Sequence, residues 1–330
     1  MSDVVTLATE LLSVESTTGR ERDAVEFVSR WLIARGWNVT LQEVESGRSN
    51  VWATRRGGGV TLSTHLDTVP PFVPPRLDGD RLYGRGACDA KGIAAAMMIA
   101  AQNLSVAGED RIDLLFVVGE EKGSPGARAA NRLPATSRFL VNGEPTESKL
   151  ASGGKGAQRV IVRVRGREAH SAYAHLGRSA LEPLLEMLPE LRRLPLPVDP
   201  VLGTTTYNIG VLRAGTEANI VPGLAEAEIM IRLVGDVAPV KQAFERWAGD
   251  RAELVWGSHI PAQHFHLIEG FEVEAVAYTS DIPLLTRWGT PLLFGPGSIH
   301  VAHTPIEYIS VTELEASVVA YEHIVRALLA

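Results

Sequence analysis

The stretch Asp113-Leu114-Leu115-Phe116-Val117-Val118-Gly119-Glu120-Glu121 is an apolar run closed by a glycine and two acids. A strand that is apolar at successive positions, rather than at alternate ones, is covered on both faces, as in the interior of a parallel sheet with helices packed above and below. Upstream, residues 60–65 form a second short β-rich run ending at His65-Leu66-Asp67. Between the two, residues 90–104 are rich in Ala and Met and apolar nearly all round, the composition of a buried helix. Residues 38–44 and 50–53 read as further strands, while 4–14 and 21–34 carry apolar side chains at three- and four-residue spacing, the mark of amphipathic helices. Strands alternating with helices imply a mostly parallel sheet with crossover connections.

After Gly156 the pattern changes. Residues 158–164 alternate strictly, as in a sheet with one solvated face, and are followed by a predicted helix over 179–193. Strands over 204–212 and 225–233, a helix over 238–248 and a strand over 252–256 complete a strand-helix-strand-strand-helix-strand order, the split βαβ or ferredoxin-like arrangement. From about Leu267 the first pattern returns, with a strand over 291–294 and a final helix over 311–329 that opens with a capping box, Ser310-Val311-Thr312-Glu313. The fold expected is an α/β domain with a mostly parallel sheet, residues 1–154 and 267–330, interrupted by an inserted α+β domain, residues 155–266. A chain of 330 residues with 45% hydrophobic content can bury two such cores.

Composition narrows the function. The formal net charge is −7, from 32 basic and 39 acidic residues, and no Lys or Arg stripe is present to neutralise a phosphate backbone, so nucleic acid is not an expected partner. No apolar stretch is long enough to span a bilayer and the N-terminus lacks the pattern of a signal peptide, which together lead to an expected cytoplasmic location without a membrane partner. With Cys88 as the single cysteine, an intramolecular disulfide and thiolate-rich metal sites are both excluded. Any metal bound here is held by oxygen and nitrogen.

Candidates for that role stand in the polar punctuations that end the apolar runs. His65 and Asp67 close one run, and ligands of open parallel sheets gather outside the carboxyl ends of strands. A metal-binding His65 would need a group such as the Asp67 carboxylate to fix its ring. Asp89 precedes the Ala-rich helix, where it would serve either as an N-cap or, with its two oxygens, as a bridge between cations. Glu120 and Glu121 are adjacent acids at a strand end that would repel one another unless solvated or compensated by a cation, so that one could ligate metal while the other acts as a general base. Glu144 again follows a strand. His303 lies in the Gly- and Pro-rich loop that also holds Gly297, ahead of the last helix, with His300 as a nearby competitor.

In the order STHLDTVP, YGRGACDAKG, GEEKGSPGA, NGEPT, REAHSAYAHLG, NIVPG and GPGSIHVAHTPIEY, the chain resembles the M20 metallopeptidases from end to end. That group includes acetylornithine deacetylase, succinyl-diaminopimelate desuccinylase, aminoacylases and carboxypeptidase G. The resemblance implies a di-zinc hydrolase domain with an inserted dimerisation and lid domain. It places two zinc ions, for which cobalt or manganese could substitute, with Asp89 bridging, His65 and Glu144 at one ion, and Glu121 and His303 at the other. It makes Glu120 the general base and Asp67 the carboxylate behind His65. It brings His170 from a partner subunit of a homodimer to stabilise the oxyanion. Asn219, Arg232 and Gly297 then match substrate contacts, with Arg232 at a free carboxylate. The implied activity is hydrolysis of an N-acyl amino acid, as in deacetylation of N-acetyl-ornithine, N-acetyl-citrulline or N-acetyl-lysine in amino-acid biosynthesis. The alternative is a dipeptidase or a succinyl-diaminopimelate desuccinylase. The chain departs from the usual pattern at Ala174, at Arg178-Ser179 and at Met230, positions that bear on substrate more than on metal. A cysteine hydrolase built on Cys88 is disfavoured because Asp89 beside it would raise the thiol pKa, and a non-catalytic binding protein because all six ligand and base positions are retained.

Overall fold

A computed structural model describes residues 2–330. The chain divides into two compact units: Met1–Ser152 with Phe265–Glu274 and Ser280–Ala330, and Gly153–His264 with Ala275–Thr279. In the first unit, helices α1 (Asp3–Leu12) and α2 (Arg22–Ile33) precede strands β1 (Asn38–Glu45), β2 (Arg48–Thr54) and β3 (Val60–His65). The short strands β4 (Arg76–Asp78) and β5 (Arg81–Tyr83) follow, then helix α3 (Lys91–Val106), strand β6 (Ile112–Val117), helix α4 (Pro125–Ala130) and strand β7 (Phe139–Asn142). Strands β1, β2, β6, β3, β7 and Thr290–Leu293 lie in that order in a six-stranded sheet. The β1–β2 and β2–β6 pairs are antiparallel, and β6–β3, β3–β7 and β7 with Thr290–Leu293 are parallel.

All six residues of β6 are buried, as its continuous apolar sequence requires. Leu114 and Phe116 join a core with α1, α2, α3 and Tyr321 of the final helix, Val311–Leu329. Leu115 and Val117 point the other way by the twofold period of a strand, and α4 packs there against β6. Burial of α3 includes Ile93, Met97, Met98 and Leu104, so this helix is apolar all round because it is surrounded, with α1 and the final helix packed against it.

The second unit begins at the end of β8 (Leu150–Gly154) and continues with β9 (Gly156–Arg165), helix α5 (Leu181–Met187), the long strands Thr206–Ala214 and Leu224–Leu233, and helix α6 (Val237–Ala248). The four-stranded sheet has the order Thr206–Ala214, Leu224–Leu233, β9, Glu253–Ile260, with every pair antiparallel. Val160, Val162, Ala227, Ile229 and Ile231 turn inward on a core shared with α5 and α6. On the opposite face Arg159 and Arg213 pair with Glu228, and Arg163 with Glu226. One apolar and one charged face reproduce the alternation read from residues 158–164. The first unit thus has a mostly parallel central sheet and the second the split βαβ arrangement expected from the sequence.

Three local expectations change. The helix predicted over 179–193 is α-helical only to Met187 and continues as a 3-10 turn from Leu188 to Arg193. Pro189 has no N–H to donate within a helix, which explains the change of winding. The capping box is half formed: Ser310 Oγ accepts the Glu313 N–H at 3.1 Å, but Glu313 Oε1 accepts instead from Gly297 N–H at 2.8 Å and Ser148 Oγ at 2.9 Å. Ala275–Thr279 groups with the second unit rather than the first. The Val276 carbonyl there accepts the Lys155 N–H at 3.2 Å.

Candidate metal centre

Strand register collects the candidates. His65 pairs with Val117 across β3 and β6, and Ser63 pairs with Asn142 across β3 and β7, so the carboxyl ends of three parallel strands open side by side. His65 ends β3, Glu120 and Glu121 form a short 3-10 turn just past β6, and Glu144 follows β7 by two residues. Gly119 makes the turn possible. It sits at φ +79°, where glycine is favoured, and a Cβ there would meet Pro125 and Arg48.

Asp89 lies at the centre of the group. Its Oδ1 is 3.1 Å from His65 Nε2 and its Oδ2 is 3.2 Å from His303 Nε2. His303 Nε2 is also 2.9 Å from Glu121 Oε1. The ligand-type atoms of His65, Asp89 and Glu144 all lie within 4.8 Å of one another, and so do those of Asp89, Glu121 and His303. Asp89 belongs to both groups. The N-cap reading of Asp89 is not what is found, because α3 begins after Ala90 with no side-chain cap bond. The carboxylate is turned to the two histidines instead.

Asp67 does more than stand behind His65. The His65 Nδ1 lies 2.9 Å from the Asp67 main-chain oxygen and 3.6 Å from its Oδ1. The Asp67 carboxylate accepts N–H bonds from Glu120 at 2.9 Å and Glu121 at 3.2 Å, and an O–H bond from Thr18 at 2.9 Å. One buried side chain therefore orders the segment bearing His65 and the turn bearing both acids.

The electrostatics follow from burial and crowding. Burial pulls the His65 imidazole down, but its bonds to Asp67 and Asp89 prevail and hold it well above its ordinary value. Asp89 is disfavoured by burial and is nevertheless held below the carboxylate range by His303 and His65. His303 is pushed up to about 10 by Asp89 and Glu121. Glu144 is raised well above the usual range, chiefly by burial. Glu120 is also raised, by burial and then by the charge of Asp281. Protons on these groups substitute for positive charge that carboxylates at such density need. A divalent cation in each group would supply it, and the donor set of imidazole and carboxylate suits zinc and its neighbours. Glu144 Oε1 is buried with no hydrogen-bond partner, an oxygen free for such a cation.

Of the remaining candidates, Gly297 (φ +87°) is held by Glu313 and packs where a Cβ would strike Cys88. His300 is exposed and belongs to neither group. His170, Asn219 and Arg232 are in the second unit. There His170 bridges Ile220, its Nδ1 accepts the Ala172 N–H at 3.1 Å, and Ser171 N–H donates to the Asn219 carbonyl at 2.8 Å, so His170 and Asn219 share one corner. Arg232 lies on the charged sheet face. Its neighbours there are paired, whereas Arg232 has no ion-pair partner among the described residues, and burial lowers its pKa. Sequence reasoning missed Asp281 and Thr18: neither stands in a run whose pattern signals burial beside acids.

The family model described as Peptidase family M20/M25/M40 matches residues 61–327. The chain belongs to this family. A peptidase M20 domain-containing protein of Schizosaccharomyces pombe is 37% identical over 336 residues, covering 98% of this chain and 84% of the relative. A probable carboxypeptidase of Aspergillus clavatus is 37% identical over 375 residues, covering 99% and 83%. Among solved structures, a tripeptidase of Staphylococcus aureus superposes with a TM-score of 0.82 at 22% identity, covering 98% of both chains. The YXEP protein of Bacillus subtilis, described as a dinuclear metal-binding peptidase of the M20 family, gives 0.74 at 15% identity, covering 98% of this chain and 97% of that one. This M20 chain is accordingly a metal-dependent hydrolase, and no helix among its described residues is long and apolar enough to cross a membrane.

Proposed function

We propose that this M20 hydrolase cleaves the amide bond of an N-acyl amino acid, with deacetylation of N-acetyl-ornithine, N-acetyl-citrulline or N-acetyl-lysine as the leading candidates. The observation that carries the reading is Asp89 shared between two groups of ligand-type side chains. His65, Asp89 and Glu144 would hold one zinc ion, and Asp89, Glu121 and His303 the other. When bound, the ions would supply a water whose pKa is lowered toward about 7 and a Lewis acid for the amide carbonyl.

Glu120 is the base. Desolvation raises its carboxyl toward the range in which a proton can be both taken and returned, and Asp67 fixes its main chain. Its carboxylate accepts a proton from the attacking water and delivers it to the leaving nitrogen. The imidazole of His170 donates to the carbonyl oxygen as negative charge develops there. Arg232, with no acidic partner among the described residues, is suited to a substrate carboxylate through two parallel hydrogen bonds. A dipeptide carries the same carboxylate on its leaving amino acid, and the sequence relatives described as probable carboxypeptidases favour it as the second reading.

Turnover of the three N-acetyl amino acids, N-succinyl-diaminopimelate and a dipeptide panel separates the two. The Glu120→Gln variant should retain both cations and lose at least about 100-fold in kcat. Wild-type turnover by that variant would remove the base assignment.

The proposal includes a homodimer in which His170 acts on the partner's substrate. The exposed edge strand Thr206–Ala214 is available for pairing. Mixing the inactive Glu120→Gln and His170→Ala proteins should then restore activity, because a hybrid dimer contains one intact site. No recovery after subunit exchange would place His170 in the site of its own chain.

A further inference from the structure

Arg85 and Glu307 form an ion pair at 2.7 Å in which both side chains are 2% exposed. Apolar residues of similar volume would serve stability as well, since the cost of desolvating two charges offsets most of their attraction. The pair does something apolar residues cannot. Glu307 Oε1 gathers three main-chain N–H groups of one turn, from Gly86 at 3.0 Å, Cys88 at 3.3 Å and Asp89 at 3.2 Å. The last of these belongs to the residue common to both ligand groups. Only a short side chain separates that anchored amide from the carboxylate between His65 and His303.

Arg85 extends the hold to a second segment. Its Nη1 donates to the Thr304 carbonyl at 3.2 Å, and Thr304 follows His303, which stands in the left-handed region at φ +64°. The Gly84 N–H donates in turn to the Glu307 carbonyl at 3.1 Å. The segment bearing Asp89 and the loop bearing His303 are thus tied to each other at one buried point. His65 instead ends one strand of the central sheet and Glu144 follows another.

We propose that the Arg85–Glu307 pair is a positioning device that sets the separation of Asp89 and His303, and through it the affinity of the Asp89–Glu121–His303 group for its cation. This deepens the function proposed above and rests on its two-cation centre. Because the pair holds two members of this group but only Asp89 of the other, its loss weakens the first group more. Neither residue touches a substrate or takes a proton in this role.

The test is titration of the metal-free protein with Co2+, read by visible absorption, for wild type, Glu307→Gln and the double variant Arg85→Met/Glu307→Leu. The double variant leaves no unpaired buried charge, and thermal melting of the metal-free forms reports its folding. It should fold with a lowered melting temperature, because the three N–H groups lose their acceptor, and bind one Co2+ tightly, with the second weakened by about 10–100-fold, the usual cost of losing a group that orients a ligand. Glu307→Gln, which keeps one oxygen for the amides, should fall between the two. Binding of both ions at wild-type affinity by the folded double variant overturns the proposal. Should wild type itself take up no Co2+, the two-cation reading fails instead. Crystals of the metal-free double variant then decide: displacement of the Gly86–Asp89 main chain supports the device, and an unchanged main chain overturns it.

Discussion

Asp89 and Asp113 are both buried acids, and the contrast between them separates function from fold. Asp89 has two histidines at its oxygens and is held ionised. Asp113, at the opposite end of β6 from the glutamates, has one oxygen without a partner, and burial pushes it up to about 6 despite a bond from Ser137. Its proton is bound more tightly in the folded than in the unfolded chain. Stability is therefore greatest below the unfolded carboxylate pKa and is lost as pH rises through about 6. Asp113→Asn, which keeps an acceptor for Ser137, should gain up to about 2 kcal/mol over wild type at pH 7.5, at roughly 1.4 kcal/mol per pKa unit. The gain should vanish near pH 4. Urea denaturation at the two pH values checks this, and equal gains at both would mean that the carboxylate is not the cause.

The 3-10 turn of Glu120 and Glu121 is too short to hold itself, and the Asp67 carboxylate supplies the bonds that its own backbone lacks. In Asp67→Asn one side-chain oxygen remains for two N–H donors, so the turn loosens. The expected result is a kcat lower by about 10–100-fold with cation content and KM retained, measured by steady-state kinetics and metal analysis. An unchanged kcat would show that the turn is fixed by other means. This dependence was only half legible in the sequence. The placement of Asp67 two residues after a strand-ending histidine suggested a role toward His65, because both lie in one short motif. Its bonds to Glu120 and Glu121 join positions 53 and 54 residues away, and no local pattern encodes such a meeting. The same holds for Glu313, which sits where a capping box predicts it but spends its carboxylate on Gly297 and Ser148. Helix 311–329 and strand 60–65, by contrast, have the limits that the sequence predicts, since hydrophobic period and cap residues are local signals.

The two-part architecture follows from a change of period. Runs apolar on all sides, such as β6 and α3, belong to a sheet covered on both faces, and the alternating β9 belongs to a sheet with one wet face. Each unit has its own buried core. The ligand-type residues all belong to the first unit although they are spread from His65 to His303, and parallel pairing with adjacent registers is what brings the strand ends together. The central claim is that these residues converge on two cations that share Asp89. Anomalous diffraction from crystals grown with zinc tests it directly. Two peaks are predicted, both in contact with the Asp89 carboxylate, one also meeting His65 and Glu144 and the other Glu121 and His303. A single peak, or cations that do not touch Asp89, would contradict the account.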